Sequence, residues 1–307
     1  MKERSQLKKR VPLSPLPLAS FKLSFVTRLW RSVPERIALP SIYKKKKSGR
    51  GSPVGVEDVL DDMPEQGFDC VYINLDKRVD RKKLIQGELR TQGTKARRFS
   101  AKSGDDVPDK LVTRQWHSKL NCLYDRKTIP ALHNMSKGER GCSGSHIALW
   151  KQCARRNDPT KPMLILEDDA VLWERSGVNF AEMTQRLISA VEGTWDVANT
   201  PVMLYVGCEV VSWRDSRRAI VEGPPVLKLR EAEYLWQTSS YLIWPAAARE
   251  LLAHLPIDCP TDCYISKLVL EGHVTAIVAT PQLAEQRDPY AKGDIKHTNT
   301  YKWQVQS

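Results

Sequence analysis

The chain has 307 residues, of which 41% are apolar and 27% are charged, and 48 Lys and Arg stand against 36 Asp and Glu. This composition excludes a wholly disordered chain, and no apolar run reaches the ~20 residues that span a bilayer. Residues 1–55 carry 14 basic and two acidic side chains, whereas the rest of the chain is neutral. The excess charge therefore belongs to the N-terminal segment and does not indicate a nucleic-acid-binding body.

Residues 1–55 form a Pro-, Ser- and Lys-rich segment, called the basic leader below, that is predicted to be disordered and to precede one domain, 56–307. Such a segment is typical of an organelle transit peptide, of a nuclear or nucleic-acid-binding tail, or of a solvated arm. The segment has no apolar core followed by a cleavage site, so the sequence does not predict a secretory signal peptide. We therefore expect a cytoplasmic or organelle-targeted protein, with nucleic acid contacted only through the basic leader.

The domain begins with alternating strand and helix signals. In chain order, the first half predicts a strand over 69–75, a helix to about residue 90, a strand near 96–101 and an irregular region over 102–135. Ser136 and Glu139 have capping-box spacing, which predicts a helix that ends near Arg155.

The second half continues this alternation. Its predicted elements are a strand over 163–166, a helix over 180–191, strands over 202–206 and 234–244, helices over 246–254 and 261–271, and a strand over 274–279. Pro245 stands at the start of the predicted helix over 246–254, where the first turn tolerates a residue without an N–H. The pattern predicts one α/β domain with a central, largely parallel mixed sheet.

Three acids follow the apolar run at 163–166, namely Glu167, Asp168 and Asp169. Ligands of such sheets bind beyond the carboxyl ends of strands, and crowded carboxylates repel one another unless a cation lies among them. Hard oxygen ligands suit Mg²⁺ or Mn²⁺ together with substrate phosphates. The alternative is a strand end with solvated acids, because Asp is common in turns.

Three blocks of sequence stand in order along the domain: VYINLDKRVDR at 71–81, GERGCSGSH at 138–146 and LILEDD at 164–169. Taken together, these blocks resemble glycosyltransferase family 25, which includes bacterial lipooligosaccharide and collagen galactosyltransferases. Further matches lie at 239–243, 246–252 and 260–262, and near the C-terminal end at Pro281, Gln286 and 293–295.

The resemblance implies a GT-A-like nucleotide-sugar-binding domain and an inverting transfer of a sugar to a glycan, glycolipid or protein hydroxyl. It implies UDP-galactose as the donor and Mn²⁺, or Mg²⁺, as the metal. The metal ligands expected from it are Glu167, Asp168, Asp169 and His297. The chain departs from the pattern because a basic leader replaces the signal peptide of a luminal collagen-modifying enzyme, and because Gly144 softens the second block.

Donor-binding residues are expected from the first two blocks. Asn74, Arg78 and Arg81 follow the first strand, where guanidinium groups suit uridine or phosphate. The alternative is a solvated helix start at which Asp80 neutralises its neighbours. Ser145 and His146 are a family signature near the cleft, although a histidine on a helical face is usually a core residue.

Inversion in one step needs a carboxylate to accept the proton of the acceptor hydroxyl. Asp262, at the start of a predicted helix, is the first candidate for this base, and Asp258 is the second. A carboxylate is also stable at a helix N-terminus, so the alternative for Asp262 is a structural N-cap.

The seven cysteines include no Cys-x-x-Cys pair, and their spacing favours buried thiols over a disulfide framework or a zinc site built from Cys142, His146, Cys259 and Cys263. Two other classes of protein remain possible interpretations. One is a catalytically degenerate glycosyltransferase fold that acts as a binding or scaffold module. The other is a nucleic-acid-binding protein that works through Lys44–Lys47.

Overall fold

The computed structural model describes residues 66–120 and 131–287, all within one compact unit over 54–307. The basic leader lies outside the described residues. The strands are β1 Asp69–Asn74, β2 Arg97–Ser100, β3 Gln115–His117, β4 Leu132–Asn134, β5 Met163–Glu167, β6 Ala170–Leu172, β7 Val202–Val221, β8 Leu227–Ile243, β9 Thr275–Thr280 and β10 Ala284–Gln286. The α-helices are α1 Val79–Thr91, α2 Lys137–Ala154, α3 Phe180–Thr194, α4 Pro245–Ala253 and α5 Thr261–Leu270.

The central sheet has the strand order β2-β1-β5-β8-β7-β9. β1 is parallel to both β2 and β5, and β7 is parallel to β9, whereas β8 is antiparallel to its neighbours. The first half of β8 also pairs with β9, so the sheet curls back on itself. The predicted α/β class with a mixed central sheet is confirmed.

Helices cover both faces of this sheet. Along β5, Leu164 and Leu166 join the core under α1 and α3, while Met163 and Ile165 join the core under α2, α4 and α5. All four are fully buried or nearly so. Strands buried on both faces are apolar throughout, which explains why the run at 163–166 contains no polar residue.

Local signals set the helix starts as predicted. The Ser136 side chain accepts a hydrogen bond from the Glu139 N–H (3.1 Å), and the Glu139 side chain accepts one from the Ser136 N–H (2.6 Å). This capping box begins α2, and Pro245 occupies the first turn of α4. Within 66–120 and 131–287, no helix combines the length and hydropathy that crossing a bilayer requires.

Several regions differ from the prediction, among them the short antiparallel pair β6–β10, which the sequence pattern did not indicate. The stretch 102–135, expected to be irregular, contains the antiparallel pair β3–β4. The strand expected over 202–206 continues to Val221 and forms a long hairpin with β8. Several register irregularities interrupt this hairpin, and they remove the two-residue alternation by which a half-exposed strand is detected.

Candidate functional site

The acidic triplet lies at the carboxyl edge of the parallel strands. Asn74 ends β1 and Glu167 ends β5, and the two strands are in register with Ile73 opposite Glu167. Asp168 and Asp169 form the turn into β6. The chain therefore places these carboxylates where α/β sheets bind ligands.

Arg81 contacts both aspartates directly, and Asn74 contacts Asp168. The Asn74 amide donates to Asp168 Oδ2 (2.7 Å), and Arg81 Nη1 donates to Asp168 Oδ1 (3.0 Å) and Asp169 Oδ2 (3.1 Å). Arg98 in turn donates to Asn74 Oδ1 (3.0 Å) and fixes that amide. The first and third sequence blocks thus form one site in the folded chain.

Arg78 is placed differently from Arg81, although both are near the start of α1. Its guanidinium forms a two-point pair with Asp80 at 3.0 and 2.8 Å. Asp80 is 63% exposed, and this pair holds the pKa of its carboxyl below the ordinary value. The alternative stated for this block, neutralisation by Asp80, describes Arg78 but not Arg81.

Glu167 faces α2 and β8. Its carboxylate accepts a hydrogen bond from the Thr238 hydroxyl (2.7 Å), and His146 Nε2 lies 3.6 Å away. Burial raises the pKa of Glu167, but His146, Thr238 and the charge of Arg81 outweigh burial and hold the pKa below its usual range. Glu167 is therefore ionised at neutral pH.

The pKa values of Asp168 and Asp169 are shifted in the opposite direction from that of Glu167. Burial, only partly offset by Asn74 and Arg81, raises the pKa of Asp168. Burial and the negative charge of Glu167 raise the pKa of Asp169 to about 6. Asp169 Oδ1 is buried and has no hydrogen-bond partner among the described residues, while Oδ2 also receives Gln286 Nε2 at 3.3 Å. An unpaired buried carboxylate oxygen fits a ligand for a hard divalent cation.

Within the second block, His146 and Ser145 have different surroundings. His146 Nδ1 lies 2.7 Å from the Tyr241 hydroxyl, which also accepts Trp150 Nε1–H at 2.9 Å. This orients Nε2 toward Glu167. The Ser145 hydroxyl instead accepts from the Lys102 N–H (2.8 Å) and donates to the Gly141 carbonyl (2.7 Å). Ser145 thus holds α2 against the chain that follows β2.

The six described cysteines are free thiols. Cys142, His146 and Glu167 each offer a ligand atom within 4.8 Å of the others, so the zinc grouping with Cys259 and Cys263 is not the one that the fold brings together. Burial and the charges of Glu167, Asp262 and Asp169 raise the pKa of the Cys142 thiol. A raised pKa disfavours the thiolate, which is the nucleophilic form of cysteine.

Asp262 is joined to the triplet through β8. Its Oδ2 accepts the Gln237 N–H (3.1 Å), and the adjacent Thr238 bonds Glu167. Gln237 has φ +70, a backbone conformation that residues other than glycine rarely adopt unless their surroundings impose it. The N-cap of α5 is Pro260, without a side-chain bond, so the N-cap interpretation of Asp262 is wrong. Asp262 lies in the first turn, where its Oδ1 accepts the Cys263 N–H (2.8 Å).

The remaining expectations have separate outcomes. Asp258 is held by Lys267 Nζ at 2.7 and 2.8 Å. His297 and the match at 293–295 lie outside the described residues. Thr238 and Gln237 were not expected at the site, and no sequence signal marks them.

A cavity of about 460 Å³ lined by Trp195, Arg217 and Thr275 lies at the opposite edge of the sheet, beside the amino ends of β7 and β9.

Comparison with known proteins assigns this arrangement to a family. Residues 69–265 match the model of "Glycosyltransferase family 25 (LPS biosynthesis protein)". The chain belongs to glycosyltransferase family 25. The matched residues begin with β1 and include α2, the acidic triplet and the first turn of α5. The resemblance seen in the three sequence blocks is therefore confirmed.

Curated relatives carry two kinds of name. The mouse "Inactive glycosyltransferase 25 family member 3" is 27% identical over 66% of this chain and 32% of its own length. "Procollagen galactosyltransferase 2" of mouse is 23% identical over 76% of this chain and 34% of its length, and "Procollagen galactosyltransferase 1" of Danio rerio is 27% identical over 70% and 34%. The chain spans about a third of the length of these relatives.

Proposed function

We propose that this family 25 chain is an inverting hexosyltransferase that moves galactose from UDP-galactose to a hydroxyl of a glycan, glycolipid or protein. In this proposal Glu167, Asp168 and Asp169 hold Mn²⁺ or Mg²⁺ against the diphosphate. The observation that carries it is the unpaired, buried Oδ1 of Asp169 at the carboxyl edge of the sheet. The galactosyltransferases among the relatives support the choice of sugar.

The charge balance of the site supports a divalent cation. Asp168 and Asp169 share one guanidinium, that of Arg81, so the two aspartates carry one negative charge more than their partner when both ionise. Burial, together with the negative charge of Glu167, raises the pKa values of both aspartates. A bound divalent cation would offset the excess negative charge and would stabilise the charge that develops on the departing diphosphate.

The chain's own residues supply position and proton transfer. Arg81 and Asn74 hold the two aspartates in fixed orientations, with Asn74 fixed by Arg98. Asp262 is the proposed base. Two main-chain N–H groups orient its carboxylate, and an ionised Asp262 would take the proton of the acceptor hydroxyl as that oxygen attacks the sugar.

A second candidate is a family member that binds a nucleotide sugar without transferring it. Arg81 already contacts both aspartates, and an arginine there neutralises part of the charge that a metal would otherwise offset. Relatives in mouse, cattle and human that are 27–29% identical are named inactive or probably inactive.

The test is release of UDP from UDP-galactose and from UDP-glucose, with and without Mn²⁺. Wild type should release UDP only with Mn²⁺, and Asp169→Asn should lower kcat by about 100-fold or more, comparable to the loss of one transition-state-stabilising group. Asp215→Asn is the matched control, because Asp215 is 95% exposed. Equal turnover by wild type and Asp169→Asn contradicts the proposal, and Mn²⁺-dependent UDP binding without turnover supports the second candidate.

A further inference from the structure

A second cluster of metal-ligating side chains lies outside the acidic site. Glu250 and His254 are one turn apart at the end of α4, and His273 follows α5. Glu250 Oε1 lies 3.0 Å from His254 Nε2 and 3.1 Å from His273 Nδ1. The two imidazole rings have centroids 4.1 Å apart. One carboxylate oxygen therefore stands between two imidazole nitrogens.

The backbone holds His273 in this place. The His273 N–H donates to the Leu268 carbonyl (2.9 Å), and the preceding Gly272 has φ +82. Glycine adopts this conformation without strain, so the chain turns sharply after α5 and returns His273 to α4. Two elements separated in sequence thus contribute to one cluster.

The spacing of the three atoms is close to that of a metal-bound arrangement. Metal–ligand bonds of about 2.0–2.2 Å at tetrahedral angles place neighbouring ligand atoms roughly 3.3–3.6 Å apart. The two observed N···O distances, 3.0 and 3.1 Å, are a few tenths of an ångström shorter than that range. All three ligand atoms lie within 4.8 Å of one another, so the three side chains offer their ligand atoms to one shared position.

The ligand types and the exposure of the three side chains indicate which metal ion the cluster suits. Two imidazoles and one carboxylate are ligands that Zn²⁺ accepts readily, whereas Mg²⁺ and Mn²⁺ prefer oxygen. The side chains of Glu250, His254 and His273 are 31%, 31% and 41% exposed. Water can therefore reach the cluster and fill a fourth position, as in zinc sites with three protein ligands.

We propose that Glu250, His254 and His273 form a zinc site that joins the end of α4 to the turn between α5 and β9. The site is independent of the acidic triplet and of the proposed transfer reaction. Binding releases any proton carried by the coordinating nitrogens and replaces the two hydrogen bonds to Glu250 with metal–ligand bonds. Because zinc binds the folded pair of elements, it stabilises their contact.

Equilibrium dialysis against ZnCl₂ tests this proposal. Asp169→Asn serves as the parent protein, so that the acidic site contributes little to the metal bound. The parent should bind one zinc at this site, and adding His273→Ala or His254→Ala should weaken that binding by more than about tenfold, since even outer-shell changes cost 10–100-fold. His117→Ala is the matched control, because His117 is exposed and lies outside the cluster.

Two further measurements separate coordination from a hydrogen-bonded pair. Co²⁺ in place of zinc should give the visible absorption of a tetrahedral ion in the parent and the His117→Ala protein, and not in the His273→Ala protein. ZnCl₂ should raise the Tm of the parent and leave the Tm of Glu250→Gln/His273→Ala unchanged. Equal zinc binding by parent and His273→Ala, or an octahedral cobalt spectrum in the parent, overturns the proposal.

Discussion

Two buried charges in this domain are accommodated in opposite ways. Arg140 on α2 is 6% exposed and donates to the carbonyls of Val112 (2.5 Å), Thr113 (2.9 Å) and Val107. Asp169 is 7% exposed, yet one of its oxygens has no partner in the described part of the chain. The Arg140 guanidinium is fully hydrogen-bonded, whereas the Asp169 carboxylate keeps one oxygen that can bind a ligand.

This difference separates a charge that holds the fold from one that is available to a ligand. A hydrogen-bonded buried cation is costly to remove, because its acceptors lose their partners. An underpaired buried carboxylate destabilises the fold until something binds it. The four changes below test this distinction, from the largest expected effect on stability to the smallest.

Arg140→Met should lower the free energy of unfolding by about 3–5 kcal/mol, the range for breaking a buried charged network. The methionine would remove the donor to four carbonyls, those of Gly104, Val107, Val112 and Thr113, and one of the two arginine partners of Asp109. Urea unfolding measures the change. Arg114→Met is the control, because Arg114 is 75% exposed and its pair with Asp109 should contribute no more than about 1 kcal/mol. Equal losses in both variants would show that Arg140 is not structural.

Asp169→Asn should raise the stability of the metal-free protein at neutral pH. The pKa of Asp169 is raised from 3.8 to about 6, so between these values the folded state keeps a proton that the unfolded state has lost. Wild-type stability should therefore fall as pH rises through this window, by about 3 kcal/mol, and the variant should not show that fall.

Thermal unfolding with a chelator, at about pH 4 and about pH 7, measures this difference. Adding Mn²⁺ at the higher pH should stabilise wild type more than the variant. Asp215→Asn should follow wild type at both pH values. A variant that is less stable than wild type at the higher pH would contradict the assignment of Asp169 as an underpaired charge.

Gly141→Ala should cost about 1–3 kcal/mol, because the added Cβ would lie 2.6 Å from the Lys102 carbonyl and backbone would have to shift. Gly87→Ala is the control, since a Cβ there meets nothing within 4 Å on α1. It should stabilise by about 0.4–1 kcal/mol. If both glycines respond alike to urea unfolding, α2 is less closely packed than the contacts of Arg140 and Gly141 indicate.

Gln237→Gly should be more stable than Gln237→Ala by about 1–2 kcal/mol in urea unfolding, because only glycine adopts φ +70 without strain. Both variants lose the glutamine side chain, so comparing them isolates the free-energy cost of the positive φ at this position. If alanine proves as stable as glycine, the bulge at β8 stores no strain beside Glu167 and Asp262.

Local signals predicted most regular elements correctly. The apolar runs at β1 and β5 and the capping box of α2 each depend on a few neighbouring residues, and each was confirmed. The second half of β7 was missed because its pairing with β8 is irregular. Gly144, at which the chain departs from the family pattern, leaves room for Val107, whose Cγ2 would lie 2.4 Å from an added Cβ.

The site was predicted in part. The triplet and Asn74 were selected from the strand ends and from the family resemblance. Arg78 and Arg81 could not be told apart, because both stand near the start of one helix and only the packing of α1 decides which reaches Asp168. The contribution of Thr238 depends on a bulge in β8 that no local pattern signals.

The sequence by itself determined the order of the longer strands and helices, the helix starts and the family, because those follow from residues close in the chain or from matched blocks. The tertiary structure alone decided which charges are paired and which are not. Pairing depends on contacts between residues 87 to 117 positions apart, such as Arg81 with Asp168 and Gln286 with Asp169. Burial there, in a low-dielectric environment, sets the pKa of each carboxyl and so its availability to a ligand.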